Sequence, residues 1–344
     1  MKLPGDFYAT HWQQSPCFVP KSCELGELTP SVSQLWEWAR QSDAARLIEP
    51  DNNFQVTLDP QAPPDGLHTV LVGQVECIDL GWDAWSRSLP QLGRWAFSDL
   101  MISHATQGAS VGAHRDRYDV FLIQLAGQRT WQLGTVADAN LPEVDQGGSR
   151  LLQGFEPVQS HIAEPGDLLY VPPGCGHHGV ALDDECMTLS VGFRQPSLSA
   201  VLEHLAQDDS SPLVIDTRKT PPGFAPDNVD ALRQQLMNWI EQRSDTELRQ
   251  AWGLAATQWS HSDSDAEGDF VRFAPGVRAC QISQNHAAVM GEIFYLTAAS
   301  LEALCTHGLD MTQQDGPTQE SLQEFHAAGW LEDAPKDLEA HDFN

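Results

Sequence analysis

Between Phe54 and Phe193 the chain is cut into short, strand-length runs, each closed by a Gly, Pro or Asp turn. Phe54, Val56 and Leu58 alternate, and His68 to Val75 is β-branched. Further runs cover Phe97 to Ser103, Tyr118 to Leu125, Arg129 to Leu133, Asp167 to Val171 and Met187 to Phe193. So many strands with such short connections close most readily into a double-sheet barrel or jelly roll. The flanks read differently. Phe7, Tyr8, Trp12 and Phe18-Val19-Pro20 form an aromatic opening segment that packs on a core, and Val32, Leu35, Trp36 and Ala39 fall at helical spacing behind an expected cap at Thr29-Pro30. Past Pro196 the pattern turns helical, with Ser197 to Ala206 one helix and Val229, Leu232, Leu236, Trp239 and Ile240 marking another behind Asp227-Asn228. An acidic stretch over 261–268 reads as a linker. Beyond it come a strand from Val289 to Leu296, helices from Ser300 to Cys305 and from Thr318 to Ala328, and a closing strand at Trp330-Leu331, a size and order compatible with a winged-helix-like unit. The expected division is 1–200, 201–268 and 269–344.

Within the strand-rich part, Gly112-Ala-His114-Arg-Asp116 carries two ligand-type side chains two residues apart. In a strand, i and i+2 share a face, so both reach one point. Farther on, Gly166-Asp-Leu-Leu-Tyr-Val-Pro-Pro-Gly-Cys-Gly-His177 runs a strand into a Pro/Gly turn that delivers a histidine. H-x-D alone is common, as is a histidine beside a Pro/Gly turn; their conjunction, in order and in strand context, is the strong signal. Two imidazoles and a carboxylate on one side of a metal leave coordination positions open and suit non-haem Fe(II). His178 adjoins His177, but neighbours in a strand face opposite ways, so it is expected to be a surface or supporting residue. Arg129 follows the Ala126-Gly127-Gln128 turn and so begins a strand expected to return alongside that of His114. A guanidinium there suits a bidentate carboxylate; a solvated hairpin arginine is the bland reading, and Arg194, at the end of the last strand, competes for the same role.

The Gly166 to His177 pattern resembles the second cupin motif, and His114-x-Asp116 the first half of the Jumonji metal triad. More closely, His114-Arg-Asp-Arg-Tyr-Asp-Val-Phe-Leu-Ile-Gln124, Tyr170-Val-Pro-Pro-Gly-Cys-Gly-His-His-Gly179 and Ser190-Val-Gly-Phe-Arg194 resemble the bacterial ribosomal oxygenases. The detailed likeness runs from about Ser98 to Pro196, and the rest is similar in layout. It implies a double-stranded β-helix core of cupin type, a helical dimerisation region and a C-terminal winged-helix domain, hence a homodimer. It also implies Fe(II) as cofactor, 2-oxoglutarate as co-substrate held by Arg129, with Ser103 adding a hydroxyl where the local sequence departs from relatives, and hydroxylation at the β-carbon of an arginine in large-subunit ribosomal protein sixteen. Tyr118, sharing the His114 face, is a candidate for gripping the substrate. Two alternatives stay open: a Jumonji enzyme that hydroxylates histidine or demethylates lysine, and a cupin-like scaffold that catalyses nothing.

Charge narrows the partner. With 48 acidic against 19 basic side chains and a net charge of −29, the surface repels phosphate backbones and draws basic proteins, although such acidity also serves solubility or a saline habitat. From Ala251 onward the only Lys or Arg residues are Arg272, Arg278 and Lys336, too few for a DNA-reading helix. No apolar run is long enough to span a bilayer and the N-terminus lacks a secretory signal. Seven cysteines without a C-x-x-C pair fit reduced thiols. The expected setting is the cytoplasm, with no membrane and no nucleic acid.

Overall fold

The computed structural model describes residues 1–89, 95–207, 229–258 and 270–334. The caps expected at Asp227-Asn228, the linker over 261–268 and Lys336 lie outside them. The chain divides into two compact units, meeting in sequence at Gln195 and Pro196.

Among the described residues fourteen strands build the first unit: β1 (Cys17–Val19), β2 (Ala45–Glu49), β3 (Gln55–Leu58), β4 (Thr69–Gly73), β5 (Phe97–Ala105), β6 (His114–Arg115), β7 (Asp119–Ala126), β8 (Arg129–Leu133), β9 (Glu143–Gln146), β10 (Ser149–Leu152), β11 (Gln159–Ala163), β12 (Leu168–Val171), β13 (Gly176–Ala181) and β14 (Cys186–Phe193). A large antiparallel sheet has the order β1-β12-β7-β14-β5-β4-β2-β3, and a smaller one the order β11-β8-β13-β6. The period-two pleat gives the large sheet two roles. One face sends Leu100, Ile102, Phe121, Ile123, Leu189 and Val191 into a core with Trp36 of helix Val32–Gln41 and Trp82 of helix Leu80–Arg87. The opposite face sends Val120 and Leu122 against Trp131, Leu133, Leu169 and Val171. Being buried on both sides is why β7 reads as an almost continuous apolar run, Asp-Val-Phe-Leu-Ile-Gln-Leu-Ala, and not as a simple alternation.

Two local expectations are corrected. The first long helix is capped by Ser31, whose hydroxyl accepts from the Gln34 N–H at 3.2 Å; Thr29 instead donates its hydroxyl to the Leu25 carbonyl at 3.2 Å, closing the turn before it. Nor does β8 pair directly with β6, the strand of His114: the two share a sheet, with β13 between them. Gly127, at φ 58°, takes a left-handed turn open to glycine at little cost, and the chain crosses sheets: β7 pairs with β12 and β14, whereas β8 pairs with β11 and β13.

The second unit holds helices Leu198–Ala206, Val229–Glu241 and Asp245–Thr257, a three-stranded meander of Ala279–Ser283, His286–Val289 and Glu292–Tyr295, helices Ala298–Cys305 and Gly316–Ala327, and Phe270–Phe273 paired between Leu309–Asp310 and Leu331–Asp333. Phe273, Phe294, Leu304, Leu322 and Phe325 centre its core. The strand expected from Val289 to Leu296 is broken by Met290-Gly291, both at positive φ (51° and 86°), which turns it into a hairpin. No described helix is long and apolar enough to cross a membrane. Cys17, Cys23, Cys175, Cys186 and Cys280 are free thiols.

Candidate metal centre and co-substrate cavity

Sheet register brings the two histidines together. β13 pairs with β6 so that His177 lies directly opposite His114, and their ring centroids stand 4.2 Å apart. Asp116 follows the end of β6, its carbonyl accepting from Gly174 N–H at 2.7 Å, which ties the loop to the Pro/Gly turn. Its carboxylate comes to 3.7 Å from His177 Nε2. One ligand atom from each of the three falls within 4.8 Å of the others, and this is the one such cluster among the described residues. Arg115, between the ligands, turns outward, donating to the Asp138 and Leu141 carbonyls at 2.5 and 2.8 Å and pairing with Glu143 at 3.3 Å.

The hydrogen bonds decide which nitrogens are free. His114 Nδ1 lies 3.0 Å from the Gly112 carbonyl and His177 Nδ1 3.2 Å from that of Cys175. A carbonyl only accepts, so each Nδ1 carries a proton and Nε2 is the nitrogen left to ligate. Burial, with His114 beside it, pushes the His177 pKa down to about 4, against the opposing pull of Asp116. His177 is therefore neutral and ready to ligate at neutral pH. Two imidazoles and a carboxylate on one side of an open cavity are a donor set that fits Fe(II).

That cavity, about 520 Å³, lies between the two sheets. Arg129, Trp131 and Leu133 form the inward row of β8, opposite Ala181, Gly179 and His177 of β13, so Arg129 stands on the triad's face and deeper in the barrel. It is 3% exposed, its Nη2 has no hydrogen-bond partner, and its guanidinium lies 5.5 Å from the Trp131 ring centre. A buried, unpaired guanidinium nitrogen is costly unless an anion meets it. Ser103 also lines the cavity, next to Thr188 across the strand pair, and donates to the Thr188 carbonyl at 3.4 Å. Tyr118 is on the wall, its phenol pKa raised by burial and by Asp116. Arg194 stays outside, donating to Ser98 at 2.9 Å with its guanidinium 4.3 Å from the Tyr118 ring centre. His178 faces away from the triad, between Ser110 Oγ at 3.1 Å and Gln132 Oε1 at 3.2 Å.

Sequence reasoning missed Trp131, Thr188 and Gly179. A Cβ on Gly179 would lie 2.6 Å from the Trp131 ring, so this glycine lets the indole lie flat across β13. Trp131 was within reach, since it sits two residues from Arg129 on the same face; the glycine opposite carried no signal before the register was known. Arg46 and Arg150 also line the mouth, supplied by strands whose pairing the sequence left open.

Residues 86–201 match the JmjC domain family. A probable ribosomal oxygenase of Haemophilus influenzae is 29% identical over 306 residues, covering 78% of this chain and 73% of that protein. The ribosomal protein uL16 3-hydroxylase of Escherichia coli is 32% identical over 257 residues, covering 69% and 67%. Among solved structures, E. coli YcfD superposes with a TM-score of 0.74 at 25% identity over 95% of this chain and 96% of that one; YcfD described as a ribosomal oxygenase in complex with cobalt and 2-oxoglutarate gives 0.69 at the same identity, covering 95% and 96%. Mainly β, with a JmjC/cupin-type core and a His-Asp-His cluster, this chain belongs to the ribosomal oxygenase family of JmjC proteins.

Proposed function

We propose that the protein is an Fe(II)- and 2-oxoglutarate-dependent hydroxylase of a ribosomal protein, acting at the β-carbon of an arginine in the large-subunit protein that its E. coli relative hydroxylates. The observation that carries this reading is the pairing, in one cavity, of an open His-Asp-His donor set with a buried guanidinium nitrogen that lacks an anion. His114, Asp116 and His177 would hold the iron. Bound there with 2-oxoglutarate, iron supplies the oxidising power to place one oxygen atom of O2 on a C–H bond while 2-oxoglutarate becomes succinate and carbon dioxide. The protein's own part is orientation and shielding. The two backbone carbonyls fix the imidazole tautomers, Arg129 takes the far carboxylate of 2-oxoglutarate, Ser103 adds a hydroxyl, and the two sheets keep bulk water from the reacting carbon. Tyr118 offers a ring face at the substrate end.

The remaining assignments rest on layout and charge. We assign 1–200 to the oxygenase domain, 201–268 to a helical dimerisation region and 269–344 to a winged-helix-like domain that meets protein in place of nucleic acid. The partner is a basic ribosomal protein, met in the cytoplasm by a homodimer. Hydroxylation of histidine and lysine demethylation are the readings to distinguish, since JmjC relatives matched over shorter stretches carry both names. The test is tandem mass spectrometry of large-subunit ribosomal proteins incubated with the Fe(II) enzyme and 2-oxoglutarate. One added oxygen on an arginine is expected. Oxygen on histidine, or loss of methyl groups from lysine, would replace the substrate assignment, and no change in any protein would overturn the hydroxylase reading.

A further inference from the structure

Around Arg129 lies a buried polar cluster that the reaction itself does not require. Arg129 Nε donates to Cys186 Sγ at 3.3 Å. The same sulfur accepts from Gln124 Nε2 at 3.5 Å, and that amide also donates to the Ala126 carbonyl at 2.8 Å. Thr188 donates its hydroxyl to Gln124 Oε1 at 3.0 Å, which sets the orientation of the amide. All four side chains are buried: Cys186 at 0% exposure, Gln124 at 1%, Thr188 at 2% and Arg129 at 3%. Among the described residues Nε is the guanidinium nitrogen with a protein acceptor, whereas Nη2 has none.

Guanidinium can meet a carboxylate edge-on through Nε and one Nη, or end-on through both Nη groups. With Nε committed to sulfur, the end-on fork is left. We propose that Cys186 is a positioning residue for the co-substrate: its sulfur, aimed by Gln124 and Thr188, takes the Arg129 Nε–H and turns both Nη groups toward the cavity for the far carboxylate of 2-oxoglutarate. The sheet register supports this, because Cys186 opens β14 and Thr188 lies two residues along it, on the cavity face and beside Ser103. Thr188 thus links the cavity wall to that cluster. A thiol suits the place: sulfur is polarisable and weakly accepting, so it orients a buried cation without competing with the carboxylate as a second anion would. This inference rests on the reading of Arg129 as the 2-oxoglutarate anchor.

Three proteins test it: wild type, Cys186→Val, which keeps bulk and removes the acceptor, and Cys186→Ser, which keeps an acceptor. For each, the KM for 2-oxoglutarate and kcat are measured at saturating protein substrate, together with 2-oxoglutarate binding to the anaerobic Fe(II) form and the melting temperature. Losing one hydrogen bond to a charged group is expected to raise KM and the dissociation constant about tenfold in Cys186→Val. The expected kcat stays within about twofold of wild type, and Cys186→Ser should recover most of the lost affinity. A purely structural role would lower the melting temperature and kcat together with no recovery by serine, and that result overturns the assignment. So does an unchanged KM in Cys186→Val. Should that variant not fold, Cys186→Ala and Cys186→Ser carry the same comparison, the alanine form being expected to bind 2-oxoglutarate more weakly than the serine form and equality refuting the proposal. Absence of 2-oxoglutarate binding in wild type would instead refute the reading of the cavity itself.

Discussion

His177 shows how one residue's surroundings set its chemistry. Its pKa of about 4 lies below the ordinary 6.5 because charging it would strand a cation against His114 in a water-excluded strand. In the unfolded chain the same histidine takes its proton near pH 6.5, so acid favours unfolding. The metal-free protein should hold full stability above about pH 6.5 and lose on the order of 3 kcal/mol as pH falls toward 4. Thermal unfolding across that range, against a His177→Gln control with a flatter profile, measures it; identical profiles would mean that His177 is not the buried, neutral group described. Gly179 gives a second residue-scale prediction. Gly179→Ala forces a methyl against the Trp131 ring and should cost about 2 kcal/mol of stability, while His178→Ala, on the opposite face, should leave metal content unchanged. The metal residues were legible because their spacing encodes faces: His-x-Asp pairs two side chains, and a Pro/Gly turn delivers a third. The group around Arg129 was not, because Cys186, Thr188 and Gln124 come from strands whose register no local pattern reveals.

Elements were legible where local chemistry is strong and obscure where tertiary context wins. β5, β7, β8, β12 and β14 follow from apolar, β-branched runs, and helix Gly316–Ala327 from its periodicity. The sheet crossing at Gly127 was not legible. A glycine turn between two strands reads as a hairpin, whereas β7 and β8 lie in different sheets, and β8 joins the sheet of His114 with β13 between them. That crossing is also what brings Arg129 onto the face of His177. Helix Asp245–Thr257 was missed although its start is marked: Ser244 accepts from Glu247 N–H at 3.2 Å, and the Glu247 carboxylate accepts from Ser244 N–H at 2.7 Å. This reciprocal cap predicts that Ser244→Ala destabilises the protein by about 1 kcal/mol. Chemical denaturation checks it, and an unchanged midpoint would mean that the cap contributes nothing.

For the whole molecule, the net charge of −29 and the cavity have separate jobs. Charge works over a Debye length, roughly 8 Å at about 0.15 M salt, and so, on the proposed function, would act on encounter with a basic protein and not on the chemistry. Raising the salt concentration should therefore raise the KM for the ribosomal protein substrate while kcat holds, and a salt-independent KM would detach the acidity from the partner. On the proposed function His114, Asp116 and His177 hold Fe(II) with open positions that 2-oxoglutarate fills while Arg129 grips its far end. The most direct measurement is anaerobic titration of the Fe(II) protein with 2-oxoglutarate, watching for the weak visible charge-transfer band of a keto acid chelated to iron. Wild type should develop the band, His114→Ala should not, and Arg129→Met should need far more 2-oxoglutarate to reach it. A band that persists in His114→Ala would refute the ligand assignment, and a wild type that holds zinc tightly and never shows the band would refute the oxygenase reading.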